Sequence, residues 1–542
     1  MKTNLLFLFL FLFSFGCFAC STFIAGKNTT FDGSVIIARN VDWEDPFMPF
    51  NMRFHKKSAT SRDFSSSYTF PPPPTSGGTE YTFNYTIPKV TPYFAFPIYT
   101  STEESYSWEE VGINSKCVAI SATESISSNQ DTLNADPLKP SGGFNESCIT
   151  SVILPQMTSA FDGAQLLGSL IYNKKGQGYR SGEGFGVAFA DKDECWYLEN
   201  AGGTKWLAQR VPDQCYFFSA NQGRLNGSEP EQIKTISSLI GSGPIKFNFA
   251  KSYMDDSEPL NENYNKCRVD RVITDLVPGS KYSSNSPFMV PHLKDPITKE
   301  PTLITIDTVK TVLRDSYGGL SPYYNIPYTP DMVAATGNRP ISVIRCSLSH
   351  ITQMGRHYPP AADGTPGKAM PPAIGNVMYV AYGFTDLSIY MPLHQGLMSE
   401  DGTNCYIPEA YQGATSAIDN TSMFWLLREL QTLVMVNYKN YSYDVKKTLY
   451  GNDNKSIEGY IKQQQIAMET QYHNTSGSAD TKRQLIINFT KQCVEYAIDE
   501  LNFLINDLKT KIKNNPPPFE FDVNNIHENL KNIESKFHFE GA

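Results

Sequence analysis

The stretch CSTFIAGKNTTFDGSVIIARNVDW, residues 20–43, has the pattern of a β-hairpin. Residues 20–25 and 34–40 are largely apolar and contain β-branched side chains, as strands do. Between them, residues 26–33 contain the turn-forming types Gly, Asn and Asp. The stretch therefore predicts two antiparallel strands joined by a loop.

The register of this hairpin decides which side chains meet at its open end. With Ala25 opposite Ser34, Cys20 lies opposite Arg39. Asp42 then lies just past the strand end, beside Cys20. The hairpin alone is therefore expected to bring a thiol, a guanidinium and a carboxylate into one small space.

Residues 1–19 have the composition of a signal peptide. A lysine precedes an apolar run over residues 5–15, and the small residues Cys17 and Ala19 occupy the −3 and −1 positions of the predicted cleavage site. The run is too short to span a bilayer as a helix. Cleavage after Ala19 makes Cys20 the first residue of the mature chain, with a free α-amino group beside its thiol.

These groups suit amide hydrolysis by an N-terminal nucleophile. A thiol with a pKa of about 8.5 is mostly protonated at neutral pH, whereas the thiolate is the reactive form. The α-amino group, with a pKa of about 7.7–8.0, is a base on the same residue, and Arg39 favours the thiolate. Asp42 is expected to hold that amine or a substrate ammonium group. Attack on an amide carbonyl gives an acyl-enzyme, which water then hydrolyses.

The cysteines and the glycosylation sequons favour the secretory pathway. The chain has ten cysteines; Cys17 leaves with the signal peptide and Cys20 begins the mature chain, so eight remain for up to four disulfides. Their pairing does not follow from the sequence. The N-x-[ST] sequons are at Asn28, Asn84, Asn145, Asn226, Asn420, Asn440, Asn454, Asn474 and Asn488. We therefore expect a glycosylated protein that is extracellular or lysosomal.

The chain divides by pattern into a catalytic domain and a C-terminal region. Its 542 residues exceed the size of a single core, and we assign residues 20–422 to the catalytic domain. Residues 57–80, rich in Ser, Thr, Pro and Gly, are predicted as an exposed loop. Apolar residues recur at three and four positions over residues 423–515, which predicts a helical region. Residues 516–542 begin with a proline run and are predicted as a loose tail.

Periodicity predicts further elements inside the catalytic domain. Residues 112–124 and 184–200 alternate apolar with small or polar residues, as strands do. Residues 158–172, 228–242 and 264–276 have helical patterns.

Composition and motifs exclude several other function classes. A formal net charge of −9 and a pI of about 5.5 argue against nucleic-acid binding, and no later apolar run is long enough to span a membrane. The chain has no H-E-x-x-H or C-x-x-C motif, so we expect no metal and no other cofactor. A papain-like site needs a histidine partner for its cysteine. His350 and His357 are candidates, but neither has a recognisable local motif.

Several segments together resemble a known family. They are CSTFIAGK and DGSVIIARNVDW in residues 20–43, GINSKCVAISATES (112–125), EGFGVAFADKDECWYLEN (183–200), WLAQRVPDQCYFFSANQGRL (206–225), DSYGG (315–319) and RPISVIRCSLSHITQM (339–354). In this order they resemble the dipeptidase/secernin family of N-terminal-nucleophile cysteine hydrolases, which is related in fold to bile-salt hydrolases and penicillin V acylases. The likeness covers most of residues 20–430. We find no counterpart for the 57–80 segment or for the helices beyond residue 430.

The resemblance implies roles for individual residues. Arg39 and Asp42 match the Arg and Asp that accompany the nucleophile in this superfamily. Asn221 matches the asparagine whose side chain helps to form the oxyanion hole. Arg268 is aligned with the arginine that closes the site, and Arg271 is its rival for that position.

The sequence thus predicts an α+β protein with a four-layer αββα sandwich, a helical C-terminal region and Cys20 as nucleophile. The expected substrate is a dipeptide or short peptide, in part because a nucleophile at a chain terminus sits in an enclosed pocket that suits small ligands. Two alternatives remain open. One is an amidase of the same fold that acts on N-acyl amides or lipids, and the other is a secreted glycoprotein that binds without catalysis.

Overall fold

The structure is a computed structural model of the chain. It describes residues 20–43, 47–70, 78–99, 108–173, 175–227, 235–237, 248–255, 261–281, 287–294, 299–316, 338–360, 367–451, 453–517, 521–522 and 525. The expected signal peptide, residues 1–19, and most of the expected tail, residues 516–542, lie outside the described residues.

The described strands are, in chain order, β1 (Ser21–Ala25), β2 (Val35–Asp42), β3 (Arg53–His55), β4 (Arg62–Phe70), β5 (Thr79–Ile87), β6 (Tyr93–Pro97), β7 (Glu109–Asn114), β8 (Ala119–Ser125), β9 (Phe185–Ala190), β10 (Cys195–Ala201), β11 (Lys205–Val211), β12 (Tyr216–Ser219), β13 (Thr235–Ser237), β14 (Phe288–Met289), β15 (Leu293–Lys294), β16 (Pro301–Thr302), β17 (Cys346–Met354), β18 (Val377–Tyr382) and β19 (Met391–His394).

The described α-helices are α1 (Gln130–Ala135), α2 (Glu146–Ile153), α3 (Ala160–Ile171), α4 (Phe249–Tyr253), α5 (Cys267–Leu276), α6 (Ile306–Leu313), α7 (Pro372–Gly375), α8 (Met423–Met435), α9 (Tyr438–Tyr450), α10 (Ile457–Asn474) and α11 (Ala479–Asn514). A short π-helix, Asn261–Lys266, leads directly into α5.

Two large antiparallel sheets form the body of the protein. The first has seven strands in the order β14-β12-β1-β2-β17-β18-β19, and the second has eight in the order β13-β11-β10-β9-β8-β7-β6-β3. Strand β2 contacts β8, β9 and β10, so the two sheets meet at the centre of the molecule. Apolar side chains from both sheets, such as Ile24 and Ala188, share one core there. The fold is therefore mixed α and β with antiparallel sheets, as the sequence predicts.

Helices cover the other faces of both sheets. Side chains of α2 and α3 share a second core with strands β8 to β11. Side chains of α5 and α6 share a third core with β1, β2 and β12, in which Phe23 and Ile36 lie beside Val272 and Val309. The predicted helices over residues 158–172 and 264–276 are confirmed as α3 and α5.

The N-terminal hairpin forms as predicted, but its register is displaced by two positions. Thr22, not Cys20, lies opposite Arg39, and Ala25 pairs with Ile36. The reason lies in the loop, where the backbone carbonyl of Ser34 accepts a hydrogen bond from Thr30 Oγ1 at 2.6 Å. This contact keeps Ser34 in the turn. A shift of two residues leaves every side chain on its original face, so Cys20 and Arg39 still project toward the same side.

The C-terminal helical region is confirmed as α8 to α11 and joins the central core. All residues of α8 are buried, and its apolar side chains belong to the same core as the two inner sheet faces. Helix α11 packs along α8 and α10. Among the described helices, none combines the length and the apolar character needed to cross a membrane.

Two local predictions are wrong. The expected loop at 57–80 instead contains β4 and the start of β5, which pair along their whole length, and residues 71–77 between them lie outside the described residues. The alternation of Phe64 with Ser65 and of Phe83 with Asn84, which buries the aromatic rings, is a strand pattern that the Ser- and Pro-rich composition obscured. In the expected helix at 228–242, residues 235–237 form β13, and the rest lies outside the described residues.

The disulfide prediction is not supported, because no disulfide bond joins the described cysteines. Cys148 of α2 lies in the second core, whereas Cys195 and Cys346 lie in the central core and Cys493 lies on α11. The buried thiols fill apolar space as small hydrophobic side chains, which is a common role of unpaired cysteine.

Two of the predicted glycosylation sites are buried. Asn145 is fully buried, and its side chain caps α2 by accepting a hydrogen bond from the Ser147 backbone at 3.1 Å. Asn226 is 2% exposed. A glycan needs a solvent-exposed amide nitrogen, so the folded chain excludes both positions. The exposed sequon residues are Asn28, Asn84, Asn420, Asn440, Asn454, Asn474 and Asn488.

Candidate active site

Cys20 is buried directly before β1, and Arg268 of α5 holds its backbone. Arg268 Nη1 donates to the carbonyl oxygen of Cys20 at 2.6 Å and to Ser21 Oγ at 2.9 Å. Hydrogen bonds to a charged donor are among the stronger ones in proteins. The start of β1 is therefore fixed by a helix that lies more than 240 positions away in the chain.

Arg268 also orients Asn221, which follows β12. Its Nη2 donates to Asn221 Oδ1 at 2.8 Å, and the Asn221 Nδ2 group makes a longer contact of 3.3 Å with the carbonyl of Ser125. The guanidinium thus selects one orientation of the amide, with Oδ1 toward Arg268 and the N–H donors on the other side. That orientation is the one that an oxyanion donor requires.

Arg39 of β2 is buried beside Cys20 and has a carboxylate partner. Its Nη2 forms an ion pair with Glu110 of β7, and its guanidinium also donates to the carbonyls of Ala122 and Thr123. The positive charge of Arg39 acts on the Cys20 thiol. Arg39 therefore links β2 of one sheet to β7 and β8 of the other, close to the thiol.

Asp42 is close to Cys20, and it has an arginine partner that the sequence prediction did not include. Its Oδ2 accepts a hydrogen bond from Arg339 at 2.6 Å, and both side chains are buried. The ring of Tyr264 lies 4.9 Å from the Arg268 guanidinium and 5.0 Å from that of Arg339. Asp42 thus compensates the charge of an arginine that was not predicted, although Arg339 begins one of the segments that carry the resemblance.

Glu124 of β8 is a further buried carboxylate at this site. Thr22 Oγ1 donates to Glu124 Oε2 at 2.7 Å, and Glu124 Oε1 has no hydrogen-bond partner among the described residues. A glutamate in the apolar strand Ala119–Ser125 was the signal available in the sequence, because a charged residue is rarely buried without a reason.

The electrostatics of the site favour protonated groups. Burial raises the pKa of the Cys20 thiol well above its ordinary value, the charge of Arg39 opposes this, and Glu124, Asp42 and Glu110 add to the rise. Burial also raises the pKa of Glu110 and of Glu124, each to about 8, against the opposing effects of their hydrogen bonds and neighbouring arginines. The thiol therefore needs a base before it can act as a nucleophile.

Arg271, the rival of Arg268, and His350, a candidate histidine partner for the cysteine, both contact other residues. Arg271 pairs with Asp275 at 3.0 Å and with Asp315. His350 is buried, and its ring nitrogens contact the hydroxyls of Ser121 and Thr352. Of the two rival arginines, Arg268 is therefore the one that contacts Cys20.

His357 lies at the other end of the N-terminal hairpin, where its backbone N–H donates to the carbonyl of Asp32 at 2.8 Å. A papain-like arrangement around Cys20 has no support from either histidine candidate.

All five predicted site residues come together. Arg268 contacts Cys20 and Asn221, while Arg39 and Asp42 act on the Cys20 thiol through their charges. The residues that the sequence prediction missed are Glu110, Glu124 and Arg339. Glu124 and Arg339 belong to segments that resemble the family, and Glu110 lies two residues before one. The roles of the five residues remain predictions.

Comparison with known proteins assigns the family. The model of peptidase family C69 matches residues 19–450. A probable dipeptidase of Salmonella dublin is 34% identical over 395 residues, which cover 70% of this chain and 81% of the relative. A probable dipeptidase of Latilactobacillus sakei is 28% identical over 455 residues, covering 80% and 85%. Dipeptidase A of Lactobacillus helveticus is 26% identical over 440 residues, covering 78% and 83%.

The fold and the family match thus define a peptidase, in which a buried cysteine directly precedes the first described strand. The chain belongs to peptidase family C69. The family match runs through α8 and α9 to residue 450, so the expectation that the helices beyond residue 430 have no counterpart is wrong for these two helices.

Proposed function

We propose that this chain is a cysteine dipeptidase of the N-terminal-nucleophile type, with a four-layer αββα sandwich. Cys20 attacks the peptide bond of a dipeptide or short peptide. Family membership and the dipeptidase names of the relatives support the substrate class. The observation that carries the mechanism is Arg268, which binds the Cys20 carbonyl and the Asn221 amide at once.

Activation of the nucleophile depends on processing. Before cleavage the nitrogen of Cys20 is an amide and has no basicity. Removal of residues 1–19 converts it to an amine on the same residue as the thiol, where it can take the thiol proton. The positive charge of Arg39 favours the thiolate that results.

The reaction then proceeds in two halves. The amine takes the thiol proton as the sulfur–carbon bond forms, and it passes that proton to the leaving amine as the carbon–nitrogen bond breaks. Water attacks the thioester, the same amine takes a proton from the water, and the product acid leaves as the thiol is restored. The Asn221 N–H group donates to the oxyanion of each tetrahedral intermediate, a contribution of about 10²–10³ in rate.

The protein is proposed to act outside the cytosol, in lysosomes or after secretion. The signal-peptide pattern of residues 1–19 supports this location. Most of the predicted sequons are on exposed residues, as glycosylation requires.

The test compares two purified forms of the protein. One begins at Cys20, and the other keeps Ala19 before it; mass spectrometry verifies each N-terminus. We expect only the first form to hydrolyse a dipeptide panel, and we expect its Cys20→Ala variant to be folded and inactive. Equal activity of the two forms excludes the terminal amine as base. Hydrolysis of N-acyl amides without hydrolysis of dipeptides supports the amidase alternative, and no hydrolysis of either supports the binding glycoprotein.

A further inference from the structure

We propose that Glu124 binds the free α-ammonium group of the substrate and so restricts the enzyme to peptides with an unblocked amino terminus. This inference rests on the proposed function, because it assigns the substrate class of the same site. It is carried by Glu124 Oε1, a buried carboxylate oxygen that lacks a hydrogen-bond partner among the described residues. Asp42 Oδ1 is also buried without such a partner, but the Asp42 carboxylate already forms an ion pair with Arg339.

Three carboxylates act on the Cys20 thiol, and they differ in their partners. Glu110 forms an ion pair with Arg39, and Asp42 forms one with Arg339. Glu124 instead accepts a hydrogen bond from the neutral hydroxyl of Thr22. An ammonium group that enters the site therefore meets two carboxylates with arginine partners and a third whose described hydrogen-bond donor is uncharged.

The distances allow one substrate to reach both residues. Cys20 and Thr22 are two positions apart, which in extended chain is about 7 Å and returns to the same face. A carbonyl carbon under attack lies about 3–3.5 Å from the nucleophile. The α-nitrogen is about 2.5 Å from that carbon. An ammonium–carboxylate hydrogen bond then spans about 2.8 Å. A peptide can thus present its first carbonyl to Cys20 and its ammonium to Glu124 together.

The unbound state of Glu124 also fits this role. Burial raises its pKa to about 8, so the ligand-free carboxyl is mostly protonated at pH 7. A bound ammonium lowers that pKa and drives the proton off. The charged and titratable groups that face Glu124 are Cys20 before β1, Arg39 and Asp42 of β2, Tyr197 of β10 and Arg268 of α5.

The experiment measures binding without turnover. Calorimetry uses the chain that begins at residue 20 with Cys20→Ala, which keeps the terminal amine. The probes are L-alanyl-L-alanine and propionyl-L-alanine, which lacks only the ammonium group. We expect the dipeptide to bind about 10- to 100-fold more tightly and to release a proton at pH 7. Addition of Glu124→Gln should remove both the preference and the proton release.

Controls separate charge from packing. Glu199→Gln, at a buried glutamate of β10 that accepts hydrogen bonds from the Arg224 and Leu225 backbones, should keep the preference. Glu124→Asp retains the carboxylate and should keep part of the preference for the dipeptide. Thermal melting shows whether each variant is folded. Equal binding of the two probes overturns the inference. So does an equal loss for both probes in Glu124→Gln, which would place Glu124 against the amine of residue 20. Hydrolysis by the unmutated enzyme tests the proposed function separately.

Discussion

Arg268 uses its whole guanidinium to organise the site. An arginine has five N–H donors, and those of Arg268 go to Tyr264, Cys20, Ser21, Asn221 and Asn265. Burial and the nearby charge of Arg339 lower its pKa. No donor remains for a substrate carboxylate. Arg268 is therefore a positioning residue, which holds Cys20 and Asn221, the proposed nucleophile and oxyanion donor, in fixed relation.

We predict that Asn221→Asp lowers kcat for dipeptides by about 10²–10³ while KM changes little. The aspartate keeps an oxygen for Arg268 but has no N–H donor for the oxyanion. Steady-state kinetics provide the measurement, with Asn221→Gln as the control that keeps the amide but displaces it. If kcat stays within about threefold of that of the original enzyme, Asn221 does not donate to the oxyanion.

At the scale of elements, buried ion pairs join the C-terminal helices to the first sheet. Glu469 of α10 accepts hydrogen bonds from Arg356 at 2.6 and 3.3 Å, just past the end of β17. Glu458 at the start of α10 pairs with Arg314 and Lys310 at the end of α6. Such pairs tolerate little change, since removal of one partner leaves a buried charge uncompensated.

We predict that Glu469→Gln lowers the free energy of unfolding by about 3 kcal/mol at pH 7. Burial alone would raise the pKa of Glu469, but the His394 hydrogen bond and the Arg356 charge lower it to about 2. Because the folded pKa lies below the unfolded value of about 4.3, this stability is present above pH 4.3 and is lost as the pH falls toward 2.

Urea unfolding from pH 7 to pH 2 checks this prediction, and the difference between the two proteins should shrink over the acid range. Glu495→Gln is the control, because Glu495 pairs with Lys491 on the exposed face of α11 at 3.9 Å. Its effect should stay below about 1 kcal/mol. A constant difference across the whole pH range would contradict the assignment to the Glu469 carboxylate.

At the scale of the whole molecule, the catalytic domain and the C-terminal helices share one core. The central core runs from the inner sheet faces to α8, α10 and α11. Trp425 and Leu430 of α8 lie in it with Tyr382 of β18. The same apolar core continues on both sides of the expected boundary at residue 422. That boundary therefore marks a change of sequence pattern and not the edge of a core.

We predict that a chain cut after residue 422 does not fold. Fully burying one large apolar side chain contributes about 1.5–3 kcal/mol, and α8 buries many. Their loss exceeds the usual stability of a domain, about 5–15 kcal/mol. Circular dichroism and thermal melting give the measurement, and a chain cut after residue 525 is the control that should melt like the full protein. A cooperative transition in the shorter chain would show that the core is divisible.

The sequence by itself determined the elements whose signal is local. Alternation and turn residues predicted the N-terminal hairpin, and helical periodicity predicted α3, α5 and the C-terminal helices. The family segments marked Cys20, Arg39, Asp42 and Asn221, while Arg268 was one of two candidates for its position. In β4 and β5 the Ser- and Pro-rich composition led to the prediction of a loop, although the residues alternate as in a strand. The sequence pattern also placed the hairpin register two positions out, because the loop contact of Thr30 with Ser34 is not visible in a pattern.

Only the tertiary structure decided the partners of the charged groups. The structure shows that Arg268 and not Arg271 contacts Cys20, that Asp42 pairs with Arg339, and that Glu124 Oε1 has no described hydrogen-bond partner. Each of these depends on which side chains distant strands and helices bring within about 3 Å. The same holds for the sequons at Asn145 and Asn226, whose burial follows from packing. Sequence periodicity reports which face of an element is apolar, but it does not report which element that face meets.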